Sequence, residues 1–235
     1  PETARKMACA GFKFQGSSFK FLSVSCTAAL QTDRERRGDD RAFICIKTDK
    51  AEMLYALYFS EASREKQEAL LSDWLLVLIA QAVGVERRLM LPGSFNPVHK
   101  GHFGMLKSAG KITGLRGIFE LSCANVDKPD IPEEEILRRA STIRNIPVAL
   151  TRAPRFTQKA ELFPNTTFVL GHDTAERLIG YAQPGEWEQF RELETSFLVA
   201  GRQLCCDTEV FQTLGKLKLP QGFESLFEAI SESAF

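Results

Sequence analysis

The sequence has no excess of charge of either sign. Lysine and arginine together number 30, as do aspartate and glutamate, so no overall field attracts nucleic acid or an anionic membrane surface. Long apolar runs are absent as well. The longest, Trp74 to Ala80, is much shorter than the roughly 20 residues of a membrane-spanning helix. We therefore expect neither nucleic acid nor a membrane as a partner, and any anion-binding site must be local.

Cysteines with a recognisable spacing are also missing. The 6 cysteines form no Cys-x-x-Cys motif, and the adjacent Cys205 and Cys206 are poorly placed for an ordinary disulfide. No signal peptide is visible. Reduced thiols in the cytoplasm are the simplest account. The 235 residues, 44% of them hydrophobic, suffice for one large domain or two small ones.

Histidine is scarce, and its placement is informative. Of the 3 histidines, His99 and His102 stand together in a stretch that reads LMLPGSFNPVHKGH. The apolar start predicts the end of a buried strand, Gly93 and Pro97 predict a turn, and the histidines predict the start of a helix. A helix N-terminus carries free N–H groups and a positive dipole end. The stretch therefore predicts a phosphate-binding turn.

The spacing of the two histidines supports this interpretation. Residues three apart share one face of a helix, about 5–6 Å apart at Cβ, so His99 and His102 can contact one phosphate. The positive helix end favours neutral imidazoles. Two alternatives stay open: ordinary surface histidines, or a metal site formed by a histidine pair with Asp173, which follows the third histidine, His172.

The pattern Gly93-x-x-x-Pro97-x-His99-x-x-His102 resembles the signature of the cytidylyltransferase-like nucleotidyltransferases. Within that group, the letters GSFNPVH are most similar to the nicotinate and nicotinamide mononucleotide adenylyltransferases. The resemblance implies that His99 and His102 are catalytic. It also implies a set of residues that bind the ATP phosphates, with a solvated loop position as the alternative for the lysine. These residues are Gly93, Ser94, Phe95, Gly101 and Lys128.

The same resemblance implies a site for a pyridine mononucleotide. Gly171-x-Asp173 is similar to the family segment that holds the ribose, and Trp187 to a tryptophan that stacks on the pyridine ring. Two structural alternatives stay open. Asp173 with Glu176 forms a capping-box-like helix start, or Trp187 packs in the core beside Phe190.

From residue 87 onward, strands and helices alternate, which predicts a parallel sheet with crossover helices. We expect an α/β, Rossmann-like doubly wound sheet over residues 87–235, in which ligands bind beyond the carboxyl ends of the strands. The predicted strands are Arg88–Leu91, Gly117–Leu121, Val148–Thr151, Thr167–Leu170 and Ser196–Ala200, and the predicted helices are Lys100–Ser108, Glu133–Arg144, one from about Asp173, and Glu186–Glu194. For Arg138 and Arg139 a surface position is favoured, with a contact to the site as the alternative.

Residues 1–86 predict a smaller α/β domain. β-branched and aromatic residues predict strands at Phe21–Cys26, Arg41–Lys47 and Met53–Phe59, followed by a helix with Ser63 as N-cap. The mixed charges of residues 31–40 favour a solvated loop over a binding patch. The letters VSCTAAL, GDDRAF and EASRE resemble the latter part of the CinA-type C-terminal domain, some of whose members are nicotinamide mononucleotide deamidases. The early part of that domain has no counterpart, so we do not expect deamidase activity.

The resemblance implies one motif that the sequence does not contain. A Ser-x-Thr-x-x-Arg-like segment that binds the triphosphate is expected late in the domain, and no copy follows Gly201. We expect a sequence truncated at the C-terminus; a degenerate homologue is the alternative.

Together these features predict an adenylyltransferase. The expected reaction joins ATP to nicotinamide or nicotinate mononucleotide, with Mg²⁺, to give NAD or its acid analogue and pyrophosphate. A non-catalytic nucleotide-binding protein, or a related transferase with another nucleotide or phosphate substrate, is the alternative. The sequence leaves open whether the protein is a homo-oligomer.

Overall fold

The computed structural model describes residues 1–13, 22–34, 37–61, 63–124, 130–203 and 211–230. The helices are α1 (Glu2–Lys13), α2 (Arg64–Ala82), α3 (Lys100–Thr113), α4 (Glu133–Ser141), α5 (Phe156–Leu162), α6 (His172–Tyr181) and α7 (Pro184–Glu192). The strands are β1 (Ser23–Ala29), β2 (Arg41–Lys47), β3 (Glu52–Tyr58), β4 (Arg88–Pro92), β5 (Gly117–Ser122), β6 (Val148–Thr151), β7 (Thr166–Gly171), β8 (Ser196–Ala200), β9 (Arg202–Gln203), β10 (Phe211–Gln212) and β11 (Phe227–Ile230). None of these helices is long and apolar enough to cross a bilayer within the described ranges.

The chain divides into two compact units, and the first comprises Pro1–Glu86, Gly93–Val98 and Ile118–Pro154. Its strands have the order β1-β2-β3-β6-β5. The first three pair antiparallel, β3 is antiparallel to β6, and β5 is parallel to β6. Helix α2 begins, as predicted, after Ser63, whose side chain accepts the N–H of Lys66.

The second unit comprises Arg87–Pro92, His99–Gly117 and Arg155–Phe235. Its strands have the order β4-β7-β8-β11, and every pair in that order is parallel. The strands are lined by buried apolar side chains such as Phe168 and Phe197, whose rings stack 6.2 Å apart. Helices alternate with these strands along the chain, so the predicted Rossmann-like α/β fold class is confirmed.

Helices α1 and α5 and strands β9, β10 and β11 were not predicted. Helix α5 has only 7 residues, which is too short for a clear period. Strand β11 is buried only at its two ends, Phe227 and Ile230, so it lacks strand-like alternation and depends on pairing with β8. Helix α1 is held by non-local contacts with β1, including a hydrogen bond from Ser25 Oγ to the carbonyl of Ala4. The domain boundary near residue 86 stays a prediction.

Candidate functional site

The turn after β4 is shaped by the side chain of Phe95. A Cβ on Gly93 would lie 2.7 Å from Cε1 of Phe95, so only glycine leaves room for this ring. Phe95 is buried against Phe119, with ring centroids 5.1 Å apart. The N–H of Gly93 donates to the carbonyl of Glu120 at 3.0 Å. The role of Gly93 in this structure is therefore steric, and a phosphate contact from its N–H stays a prediction.

Two arginines from α4 contact the same turn. Nη1 of Arg139 donates to the carbonyl of Ser94 at 3.0 Å, and Nη2 of Arg138 donates to Oδ1 of Asn96 at 3.2 Å. Both guanidinium groups also bind Glu135. The prediction of a surface position therefore describes these arginines only in part, because both also contact the predicted phosphate-binding turn.

The histidine pair forms the start of α3, as predicted. His99 is the N-cap residue, and its carbonyl accepts the N–H of His102 at 3.0 Å. The two imidazoles stack with centroids 3.8 Å apart. A Cβ on Gly101 would lie 3.1 Å from Cε1 and Nδ1 of His99. Gly101 thus leaves the space that the His99 ring uses to lie beside His102.

The hydrogen bonding of His102 determines which of its nitrogens can donate. Its Nδ1 accepts the backbone N–H of His99 at 3.2 Å, so the neutral imidazole carries its proton on Nε2. Burial, and then the neighbouring charge of His99, lower the pKa of His102 below its usual range. His102 is therefore a neutral donor at physiological pH, which suits it to a phosphate oxygen whose negative charge increases during reaction.

The Gly171 segment lies where β7 passes into α6. Gly171 is the N-cap and α6 begins at His172, so the capping-box alternative with Asp173 as cap is wrong. Asp173 instead lies in the first turn, where a carboxylate interacts favourably with the helix dipole. A Cβ on Gly171 would meet no atom of the described residues within 4 Å. Within the described part of the chain, there is therefore open space beside the Gly171 backbone.

The adjacent His172 was noted in the sequence only as the third histidine. Its side chain is 3% exposed, and neither ring nitrogen has a hydrogen-bond partner within the described ranges. An unpaired buried polar group destabilises a fold by about 1–3 kcal/mol. The sequence carries no signal that would have distinguished this buried imidazole from an exposed one.

Trp187 lies in an apolar cluster. Its ring is 5.6 Å from that of Phe190, 5.8 Å from Phe227 and 6.5 Å from Phe223. The side chain is only 5% exposed. Packing beside Phe190 was the core alternative, and the structure has this contact. Stacking of Trp187 on a pyridine ring stays a prediction, and it would require Trp187 or a neighbouring phenylalanine to move.

Two further predictions concern Lys128 and a metal. Lys128 lies outside the described residues. The metal alternative finds no support in the part of the chain that the structure describes, because no three His, Cys, Asp or Glu side chains cluster suitably there. The described site residues are distributed over both units: Gly93, Ser94 and Phe95 belong to the first, and His99, Gly101, His102, Gly171, Asp173 and Trp187 to the second.

A polar cleft of about 580 Å³ lies within the first unit, and no predicted site residue lines it. The loop interpreted as solvated contributes several of its walls. Arg144 crosses one side, where it pairs with Asp39 at 2.8 Å and lies over the ring of Tyr58. The cleft is lined by Gln31, Thr32, Asp33, Arg34, Gly38, Asp39, Asp40, Phe59, Ser60, Glu61 and Arg144.

Comparison with known proteins identifies one family. Residues 90–219, more than half of the chain, match the family described as Cytidylyltransferase-like. No curated protein matches the chain. The predicted superfamily is thereby confirmed, and the match supports a nucleotidyltransferase in general. Residues 1–89 lie outside the match, so the CinA resemblance stays a prediction.

Proposed function

The chain belongs to the cytidylyltransferase-like family, and from that premise we propose that it is an adenylyltransferase acting on a pyridine mononucleotide. It transfers AMP from ATP to nicotinamide or nicotinate mononucleotide and releases pyrophosphate. The observation that carries the proposal is the stacked histidine pair at the start of α3, with centroids 3.8 Å apart. Two imidazoles at a helix N-terminus form a compact set of donors for phosphate oxygens.

The reaction needs no covalent enzyme intermediate. A 5′-phosphate oxygen of the mononucleotide attacks the α-phosphorus of ATP, and the bond from that phosphorus to the pyrophosphate oxygen breaks. Catalysis then consists of holding the two phosphates in line and stabilising the charge that develops. Nε2 of His102 donates to an α- or β-phosphate oxygen, since Nδ1 is already an acceptor. His99 donates beside it. The motif implies that Gly93, Ser94, Phe95 and Gly101 also bind the ATP phosphates, and we include them in the proposal.

Mg²⁺ enters this proposal as part of the substrate, Mg·ATP, and offsets the charge of the pyrophosphate. Within the described ranges no cluster of three His, Cys, Asp or Glu residues suits a metal. Because Mg²⁺ in phosphoryl-transfer enzymes is held largely by substrate phosphates and water, that composition is compatible with a metal delivered by the nucleotide. We assign no protein ligand to it.

One observation favours a second candidate, a transferase with a different phosphate acceptor. Trp187, the proposed partner of the pyridine ring, is 5% exposed and contacts three phenylalanines. A stacking surface for pyridine is therefore not open in this structure. Acceptors without a pyridine ring would not need that surface.

The test is detection of products by mass spectrometry after the chain is incubated with ATP, Mg²⁺ and a panel of mononucleotide and phosphate acceptors. We expect a dinucleotide only from a pyridine mononucleotide. Loss of one transition-state donor typically lowers a rate by about 10²–10³, so His102→Ala should nearly abolish the reaction. Lys111→Ala, at the far end of the same helix, is the control. A His102→Ala variant that keeps more than half of the rate contradicts the mechanism, and product from another acceptor supports the second candidate.

A further inference from the structure

Charged side chains of α4 hold the turn at Ser94–Asn96, although α4 lies outside the glycine and histidine signature. Arg139 binds the carbonyl of Ser94 and Arg138 binds the side chain of Asn96. The turn is thus attached to the helix on both sides of Phe95. Since it is also the predicted phosphate-binding turn, a group that binds it is well placed to affect a bound nucleotide.

The turn has a conformation that needs such attachment. Phe95 has a φ of 44°, in the left-handed region that is unfavourable for residues other than glycine. A strained residue persists only when its surroundings restrain it. The buried Phe95 ring provides one restraint, and the hydrogen bond from Arg139 to the preceding carbonyl provides another.

Glu135 fixes the two arginines. Its Oε1 accepts from Nε of Arg139 at 2.7 Å, and its Oε2 accepts from Nε of Arg138 at 2.5 Å. These bonds, first with Arg138 and then with Arg139, lower the pKa of Glu135 to about 2. Glu135 with its two arginine partners has one net positive charge. Glu133 and Glu134 also lie in the first turn of α4, so the positive charge is local to the two guanidinium groups, and an anionic ligand would bind there.

Arg138 has a donor to offer such a ligand. Its Nε and Nη2 are engaged by Glu135 and Asn96, whereas Nη1 makes no hydrogen bond within the described ranges. The side chain is 57% exposed. A guanidinium that is held on one edge and open on the other is preorganised for a phosphate oxygen, because little side-chain freedom remains to be lost on binding.

We propose that α4 provides a phosphate-binding element beside the turn Ser94–Asn96, in which Arg138 contacts the phosphates of a nucleoside triphosphate. Arg139 and Glu135 act as positioning residues that hold the turn Ser94–Asn96 and the Arg138 guanidinium in place. This inference rests on the proposed function. It adds to that function a cationic group that neither the histidine pair nor the sequence signature includes.

The first arm of the test measures ATP affinity by isothermal titration calorimetry with the whole 235-residue chain and Mg²⁺. Arg138→Ala should weaken binding about tenfold, since charge-assisted hydrogen bonds are among the strong ones. Arg138→Lys should recover part of the loss, because it keeps the charge but not the planar fork. The matched control is Arg64→Ala, which removes a helical arginine that is 54% exposed and also pairs with a glutamate, Glu68.

The second arm uses the ligand-free chain, so it does not depend on activity. Hydrogen exchange followed by mass spectrometry should show faster exchange over residues 94–98 in Arg139→Ala than in Arg64→Ala. Circular dichroism melting of each variant verifies that it is folded. Unchanged exchange in a folded Arg139→Ala variant overturns the positioning role.

The outcomes separate the inference from the proposed function. If the wild-type chain binds ATP and His102→Ala weakens binding, but Arg138→Ala binds as tightly as wild type, the inference is overturned and the proposed function stands. If the wild-type chain binds no ATP, the proposed function fails and the phosphate contact of Arg138 fails with it. Weaker binding by Arg138→Ala with normal binding by Arg64→Ala supports the inference.

Discussion

The histidine pair at the start of α3 and the cluster around Trp187 differ in what explains them. Folding accounts for only part of the histidine arrangement. Nδ1 of His102 accepts the backbone N–H of His99 and so caps the start of α3. Capping does not require the two imidazoles to stack 3.8 Å apart, or a glycine in the first turn to make room for them. Glycine in a helix is less favourable than alanine by up to about 1 kcal/mol. Folding does account for Trp187, which fills an apolar cluster with Phe190 and Phe227.

This difference determines which of the residues that match the family motif are evidence for a ligand site. A glycine that lowers helix propensity beside two donors at a helix end is compatible with a ligand site. A buried aromatic residue is already explained by packing. The geometry is therefore compatible with the proposed phosphate contacts of His99 and His102, whereas packing already explains Trp187.

The largest effect on stability is expected at Trp187. Trp187→Ala should lower the free energy of unfolding by about 3–5 kcal/mol, because it leaves a cavity among buried phenylalanines. Trp187→Phe should lower it less, since a ring remains. Urea unfolding monitored by circular dichroism gives both values.

A different result is expected if Trp187 is a ligand contact rather than a core residue. Trp187→Phe should leave the KM for the mononucleotide unchanged when the indole serves only packing. A KM that rises tenfold, with a small change in stability, would show that the cluster opens in solution and that the indole contacts the substrate.

Much of the fold was predictable because its signals are local. Strand β2 has the predicted bounds, and α3 begins at Lys100 as predicted, since a glycine, a proline and an apolar run together define a turn and its flanks. Strand β11 depends on parallel pairing with β8, and no short pattern encodes a partner about 30 residues earlier.

In the candidate site, too, local contacts were predictable from the sequence and long-range contacts were not. The spacing of Glu135, Arg138 and Arg139 is the one at which helical side chains meet. That spacing predicts an internal ion-pair cluster, but not a bond from Arg139 to Ser94, which lies 45 residues earlier in the chain. Likewise, the composition around Trp187 is compatible with both a stacking site and a core, and only the tertiary contacts of the ring distinguish them.

A substitution of Gly101 should separate activity from stability at the histidine pair. Gly101→Ala should displace the His99 ring, because the new methyl group would lie 3.1 Å from it. Misplaced catalytic donors can lower a rate by about 10²-fold, so we expect a loss of about 10- to 100-fold in kcat/KM. Stability should stay the same or rise slightly, since alanine favours a helix. Steady-state kinetics and thermal melting measure the two effects.

The control for Gly101→Ala is Gly185→Ala. Gly185 is likewise the second residue of a helix, α7, but a Cβ there would meet no atom within 4 Å in the part of the chain that the structure describes. It should gain helix stability without losing activity. Equal rates for the two variants would mean that the position of the His99 ring does not matter to the reaction.

A pH dependence should follow from His102, whose pKa is lowered by burial and by His99. Above the unfolded pKa of about 6.5 the imidazole is neutral in both states, and its contribution to stability is fully present. As the pH falls towards the folded pKa, the unfolded chain takes up the proton first and stability is lost. Protonation would also remove the Nδ1 acceptor for His99. The melting temperature should therefore fall more between pH 7 and pH 5 for wild type than for His102→Gln.

A bound phosphate should act on His102 in the opposite direction, because a nearby negative charge raises the pKa of an imidazole. In an NMR titration the His102 midpoint should move up when ATP is added. If the chain binds ATP but the titration midpoint of His102 does not change, the phosphates do not lie near His102.

A small effect on stability is expected at Gly171. Its φ of −75° suits any residue, and a Cβ would meet no atom of the described residues within 4 Å. Gly171→Ala should therefore lower stability only by the roughly 0.5–1 kcal/mol by which alanine is a poorer N-cap than glycine. If the ribose of a mononucleotide occupies that open space, the same variant should raise the KM for the mononucleotide. Gly180→Ala, on the same helix and equally open, should leave the KM unchanged. Equal KM values for both variants would mean that the substrate does not approach the Gly171 end of α6. The ribose contact implied by the resemblance would then be contradicted, and the pyridine contact of Trp187 is already without structural support.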